Sequence, residues 1–199
     1  MRIVIVGTSG SGKTTLATHL ASVLELKRIE LDAVTWQPGW NAQHINDPEE
    51  FRRRVAQAVA DERWVCDGNY RVARDLIWPR ATHLIWLDYD RPVIMRRVIW
   101  RSISRAVTGR ELWNGNFEDW RNWTHASHPI RWAWDTWAAN RERNEAAIAD
   151  PANGHMKVLR LRKPGEAKGI EERLIGQAGL RIRRSSPLAG EGGSRMRDG

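Results

Sequence analysis

Cysteine is nearly missing from this chain: Cys66 is the only one in 199 residues. That excludes an intramolecular disulfide and a cysteine cluster around zinc, and it makes a reducing, cytoplasmic setting the expected one. No apolar run approaches the roughly 20 residues of a membrane-spanning helix, so no membrane partner is expected. Met1-Arg2, followed at once by β-branched residues, is not read as a secretory leader. Phenylalanine and tyrosine are scarce, two of each against twelve tryptophans. Acids are outnumbered, 24 against 32 Lys+Arg, for a net charge of +8. The stretch from Arg181 onward holds five arginines and two acids. Three of the eight charges therefore sit at that end, and the surplus on the rest is too small to make nucleic acid the expected partner. The length suits one α/β domain with a real core and is short for two.

What the chain does have is Gly7-Thr8-Ser9-Gly10-Ser11-Gly12-Lys13-Thr14, which fits the phosphate-binding pattern G-x-x-x-x-G-K-[ST]. Ile3-Val4-Ile5-Val6 before it reads as a buried parallel strand. Leu16, Leu20, Val23 and Leu24 after it recur at helical spacing. Strand, glycine loop and helix is the arrangement the chemistry needs: backbone N–H groups turn inward around phosphate oxygens, and the helix N-terminus adds partial positive charge. Residues Gly7, Thr8, Ser9, Gly10, Ser11, Gly12, Lys13, Thr14 and Thr15 form the expected nucleotide cradle. In it Lys13 reaches the β- and γ-phosphates and the Thr14 hydroxyl ligates Mg²⁺, so the expected cofactors are ATP and Mg²⁺.

Further along, the pattern predicts strands over 28–31, 64–66, 83–87 and 157–161. It predicts helices from Asp47, which caps Pro48, over 72–78, from Pro92 to about Val107, over 129–149 and over 167–177. Trp36-Gln37-Pro38-Gly39-Trp40 reads as a rigid turn between two aromatics. Residues 109–128 are polar and read as a mobile insertion. From Ser185 the composition falls to Ser, Pro, Gly and charge, which predicts a disordered tail over 185–199. Strands alternating with helices imply a five-stranded parallel sheet with helices on both faces.

Gly7–Thr15, Leu31-Asp32 with the Trp36–Trp40 turn, and Trp64-Val65-Cys66-Asp67-Gly68-Asn69-Tyr70 resemble the bacterial adenylate-kinase-like P-loop proteins, closest to the group labelled topology modulation proteins. The likeness runs over roughly residues 1–175 and is sharper in the first half. It implies the nucleoside-monophosphate-kinase fold: a kinase domain over 1–184, with a helical lid inserted at about 108–130. By the same resemblance Asp67 orients Mg²⁺ or its waters and Arg71 holds an acceptor phosphate. The paired arginines at the lid base fall on Arg101 and Arg105.

Each of these residues has a plainer alternative. Asp67 before glycine also reads as a turn cap. Asp32, at the carboxyl edge where such sheets place ligands, reads as general base, acceptor anchor or cap. Arg97, Arg101 and Arg105 share a helix face, which is costly unless an anion meets them; a solvated basic face is the other reading. Arg141 and Arg143 are further candidates, and Asp88 is taken as structural. Of Trp113, Trp120, Trp123, Trp132, Trp134 and Trp137, core packing is expected over base stacking. His125 and His128 lack further ligands for a metal.

The expectation is thus an ATP-dependent kinase acting on a small-molecule phosphate acceptor. That acceptor is a nucleotide if Arg71 decides, or a hydroxylated metabolite if Asp32 does. The alternative is a P-loop NTPase that binds nucleic acid through its arginine-rich surface.

Overall fold

The computed structural model describes residues 1–109, 111–117 and 128–178. The chain divides into two units, Met1–Lys168 and Gly169–Gly199. The second contributes one described element, the helix at Ile170–Ala178. The expected disordered tail lies outside the described residues.

In chain order the first unit runs β1 (Arg2–Gly7), α1 (Lys13–Val23), β2 (Lys27–Glu30), α2 (Leu31–Thr35), β3 (Trp36–Gln37), β4 (Asn41–Ala42), α3 (Gln43–Asn46), α4 (Pro48–Ala58), β5 (Trp64–Asp67), α5 (Arg74–Ile77), β6 (His83–Leu87), α6 (Arg91–Thr108), α7 (Pro129–Ala149) and β7 (Lys157–Leu161). Five of the strands form one parallel sheet in the order β2-β5-β1-β6-β7. β3 and β4 form a separate antiparallel hairpin.

The sheet is buried on both faces, and its strands therefore read as apolar runs rather than alternations. Val4, Val6, Ile29, Trp64, Cys66, Leu84 and Trp86 meet Phe51 and Val55 of α4 and Ile77 and Trp78 around α5. Ile3, Ile5, Val65 and Ile85 are equally buried and by the two-residue period point to the opposite face. α1 turns Leu16, Ala17 and Leu20 inward. α4 starts where its cap predicts: Asp47 accepts the Glu50 N–H at 3.1 Å, and Pro48 occupies the first turn.

Two sequence expectations change. β2 ends at Glu30 and helix α2 begins at Leu31, so Asp32 lies in a helical first turn rather than at a strand tip. Leu31, 1% exposed, opens that helix and packs so close to Gly68 that a Cβ there would meet its Cβ at 2.8 Å. The aromatic turn is a hairpin whose Gly39 and Trp40 both have positive φ, 73° and 58°.

Candidate active site

The loop between β1 and α1 has the shape its glycines demand. Gly10, at φ 84°, lies against α6 so closely that a Cβ would come within 2.2 Å of Val98 Cγ2. Gly12, at φ 96°, is the N-cap of α1. Lys13 Nζ donates to the Gly7 and Thr8 carbonyls at 2.9 and 3.3 Å, so its ammonium spans the mouth of the loop. Burial pushes its pKa down, while the carboxylates of Asp32 and Asp67 oppose that shift. Both acids therefore lie within electrostatic reach of Lys13, and three residues far apart in the sequence converge on one point.

Asp67 ends β5, 3% exposed. Its Oδ2 accepts the Thr14 hydroxyl at 2.7 Å, and its Oδ1 is buried with no hydrogen-bond partner. Burial is the main reason its pKa rises to about 6; Thr14 and Lys13 pull it down, Glu30 and Asp32 push it up. Asp32 accepts the Tyr70 hydroxyl on Oδ1 at 2.6 Å. The phenol is pushed far up by burial first and by Asp32 second, so it stays a donor. His44 closes this wall, edge-on to Tyr70 at 4.9 Å, and burial lowers its pKa.

α6 supplies cations to the same loop. Arg97 Nη1 donates to the Ser11 carbonyl at 2.8 Å and Arg101 Nη2 to Ser9 Oγ at 3.1 Å. Arg97 and Arg101 thus both bond to the loop, and Arg105 follows one turn farther along the same helix, its carbonyl accepting the Gly109 N–H at 2.9 Å. The spacing of the arginine face reveals its members but not which of them meets the loop. That depends on where Val98 packs.

Asn69 is a residue that sequence reasoning misses. Its amide donates to the Gly7 carbonyl at 2.7 Å and accepts the Gly7 N–H at 3.3 Å, tying the β5 tip to the start of the loop. Following Asp-Gly, it carries no local signal of that task. Arg71 is exposed at the start of a 3₁₀ turn. Arg74, also not foreseen, lies over the Trp78 ring at 4.5 Å and lines a small cavity with Asn69 and Tyr70.

Other candidates go elsewhere. Arg141 is bound to Asp88 at 3.1 Å and Arg143 is exposed on α7. His128 caps α7 by accepting the Ile130 N–H at 3.3 Å, and His125 lies outside the described residues. The tryptophan expectation fails for Trp132 and Trp134, 55% and 51% exposed. The residue of α7 that turns fully inward between them is Ala133, 0% exposed. Trp137 is anchored by its Nε1, which donates to the Tyr89 carbonyl at 3.1 Å. Trp120 and Trp123 lie outside the described residues.

Fold and loop together define a P-loop protein of the adenylate-kinase-like class. No protein-family model matches the sequence, and no curated protein matches it either. Solved structures share the fold. Shikimate kinase from Bacteroides thetaiotaomicron is 18% identical, with 90% of this chain and 99% of that one covered at a TM-score of 0.50. A gluconokinase from Sinorhizobium meliloti 1021 is also 18% identical, with 89% and 95% covered at 0.49. A sugar kinase from Janibacter sp. HTCC2649 is 21% identical, with 90% and 94% covered at 0.48. At 18% identity and a TM-score of 0.50, the likeness to the first of these speaks to the fold alone. Among the described residues no helix is long and apolar enough to cross a membrane.

Proposed function

We propose that the protein is a P-loop kinase that moves the γ-phosphoryl group of ATP to a small acceptor. The narrower likeness to the topology modulation proteins rests on the sequence motifs alone. The observation that carries the kinase reading is the pair of carboxylates beside the lysine-bearing loop, Asp67 bonded to Thr14 at 2.7 Å and Asp32 bonded to Tyr70 at 2.6 Å, both acting electrostatically on Lys13. A carboxylate on the metal side suits phosphoryl transfer, and a second one facing the acceptor suits transfer to a hydroxyl.

Thr14 and Asp67 fit Mg²⁺. The unpartnered, buried Asp67 Oδ1 beside a hydroxyl is the hard, oxygen-only donor set that this cation takes while keeping several waters. When bound, the ion supplies charge neutralisation at the β- and γ-phosphates.

The chain's own residues do the rest. Lys13 leaves the loop carbonyls for phosphate oxygens, a stronger charge-assisted bond. Arg97 and Arg101 meet the charge that spreads over the transferring group. Asp32, with Oδ1 held by Tyr70, keeps Oδ2 for the acceptor and takes its proton if the acceptor is an alcohol. Arg71 and Arg74 supply positive charge at the far end. Burial, then Arg71, holds the Arg74 pKa below its usual range, and neither arginine has an ion-pair partner among the described residues. Neighbouring Arg52, Arg53 and Arg54 are bonded to Asp75, Glu50 and Gln43. An acceptor that is anionic at one end and hydroxylated at the other satisfies both ends.

The decisive experiment is an ATP-consumption screen of the purified protein against nucleotides, sugar acids and polyols, with Lys13→Ala as control. Turnover that survives Lys13→Ala would sink the assignment. Once an acceptor is found, Asp32→Asn separates the acceptor classes. It should lower kcat about a hundredfold for a hydroxyl acceptor, the low end of general-base effects, and only a few-fold for a phosphate, which needs no base.

Arg101→Lys keeps charge but loses the planar fork. It should lower kcat about ten- to a thousandfold with little change in the ATP dissociation constant by titration calorimetry, since its bonds strengthen at the transition state. Arg105→Lys, one turn farther along, should have the smaller effect. An equal loss in both variants would move the catalytic pair to Arg101 and Arg105.

A further inference from the structure

Residues 111–117, just beyond the Gly109 cap of α6, are expected from sequence to belong to a mobile insertion. They instead form a compact turn. Asn114 and Gly115 both have positive φ, 52° and 78°. The Asn116 N–H bonds to the Trp113 carbonyl at 3.0 Å, and Glu111 bridges antiparallel to Phe117. Asn-Gly is the dipeptide that such a tight turn selects.

This turn docks on the hairpin β3–β4. Asn116, 3% exposed, has a fully used side chain. Its Oδ1 accepts the Trp40 N–H at 2.7 Å, and its Nδ2 donates to the carbonyls of Gln37 at 2.9 Å and Trp113 at 2.8 Å. Trp40 Nε1 donates to the Phe117 carbonyl at 3.2 Å, and Trp113 Nε1 to Glu30 Oε1 at 3.0 Å. Trp40 holds a left-handed conformation that costs a large L-residue about 1–2 kcal/mol. Such an outlier persists only where its surroundings over-determine it, and here Asn116 and Phe117 supply the bonds that do so.

The hairpin is one wall of the candidate acceptor site. Trp36 packs edge-on against Trp40 at 5.4 Å and His44 at 6.3 Å, and His44 packs on Tyr70, the residue bonded to Asp32. At the other end, the same stretch of chain carries Arg97 and Arg101 on the nucleotide loop. One helix and one turn therefore join the two halves of the site.

We propose that the turn Glu111–Phe117 couples them, with Asn116 as a positioning residue that holds the acceptor wall in register with α6. The proposal rests on the nucleotide-site reading above. Phosphate oxygens draw Arg97 and Arg101 away from the Ser11 carbonyl and Ser9 hydroxyl, α6 adjusts, and the turn carries the adjustment to residues 36–46.

The test is hydrogen exchange by mass spectrometry on the full chain, with and without the Mg²⁺ complex of a non-hydrolysable ATP analogue. In the parent protein, exchange over residues 36–46 should slow at least fivefold on nucleotide binding, together with residues 7–15. In Asn116→Ala the protection over 7–15 should remain while that over 36–46 falls below twofold. Trp113→Phe, which keeps an aromatic side chain but loses the indole N–H bonded to Glu30 together with part of the ring's volume, should lie between, and it decides the matter alone if Asn116→Ala does not fold. Unchanged protection of 36–46 in the variants, or none in the parent, overturns the coupling. Absence of protection over 7–15 in the parent overturns the nucleotide site itself.

Discussion

Asp67→Asn should leave the protein with less than a thousandth of its phosphotransfer and, free of metal at pH 8, more resistant to heat than the parent. Both effects have one cause. Asp67 is a buried carboxylate whose pKa is raised, chiefly by burial, from 3.8 to about 6. Between those values the folded state holds a proton that the unfolded chain has released. Stability therefore falls as pH rises through that window, and above pH 6 the cost is fully present. A rise of about two units is on the order of 3 kcal/mol. Asparagine carries no charge to desolvate and can still accept the Thr14 hydroxyl, so it removes most of this cost. For a domain of this size that is a gain of several degrees in Tm, shrinking towards zero as the pH falls below the unfolded value of 3.8, where the parent carboxyl is protonated in both states. The measurement is a pair of melting curves against pH in chelator. A second pair with Mg²⁺ and ATP should invert the order, because ligand binding stabilises only the parent. A variant less stable than the parent at pH 8 would refute the claim that the site stores strain for the metal.

The same balance of local and long-range signals explains what could be read in advance. Ile3–Val6 and His83–Leu87 announce their strands because a parallel strand buried on both faces must be apolar throughout. Thr14 and Asp67 are legible because the glycine loop fixes one and the strand end fixes the other. Asn69 is not, since its task is to grip Gly7, 62 residues away, and nothing nearby requires an amide. Asp32 is legible as an acid near the end of β2 but not as a helical residue, since the helix begins at Leu31, which packs against Gly68, distant in the sequence. The Asn114-Gly115 turn is written plainly in the sequence. The polarity around it nevertheless predicts mobility, because the carbonyls that its side chains satisfy, on Trp36 and Gln37, lie near the other end of the domain. Trp134 and Trp137 fall at helical spacing, but spacing names a face and not its partner. The residue of α7 that is fully buried there is Ala133.

Asp88→Ala should be strongly destabilising, and it should leave the chemistry nearly intact. The Asp88 side chain is 3% exposed and accepts from Arg160 at 2.7 Å and Arg141 at 3.1 Å. It joins the end of β6 to β7 and to α7, while its backbone N–H bonds to the Leu161 carbonyl at 2.8 Å. Removing the acid strands two guanidinium groups that are 26% and 36% exposed. Breaking a buried pair costs about 3–5 kcal/mol. The low end applies here, because Arg160 keeps Glu145 at 2.9 Å and its place over Trp86 at 4.1 Å, and both arginines reach water. About 3 kcal/mol corresponds to a fall of roughly 6–12 °C in Tm. Asp88→Asn, which keeps one acceptor oxygen but sets an amide donor against the other guanidinium, should recover only part of that loss. Because Asp88 is saturated by arginines that hold the sheet together, kcat at 20 °C should change less than threefold in either variant. A large loss of kcat with the melting curve unmoved would instead make Asp88 part of the phosphate machinery, and the two arginines with it.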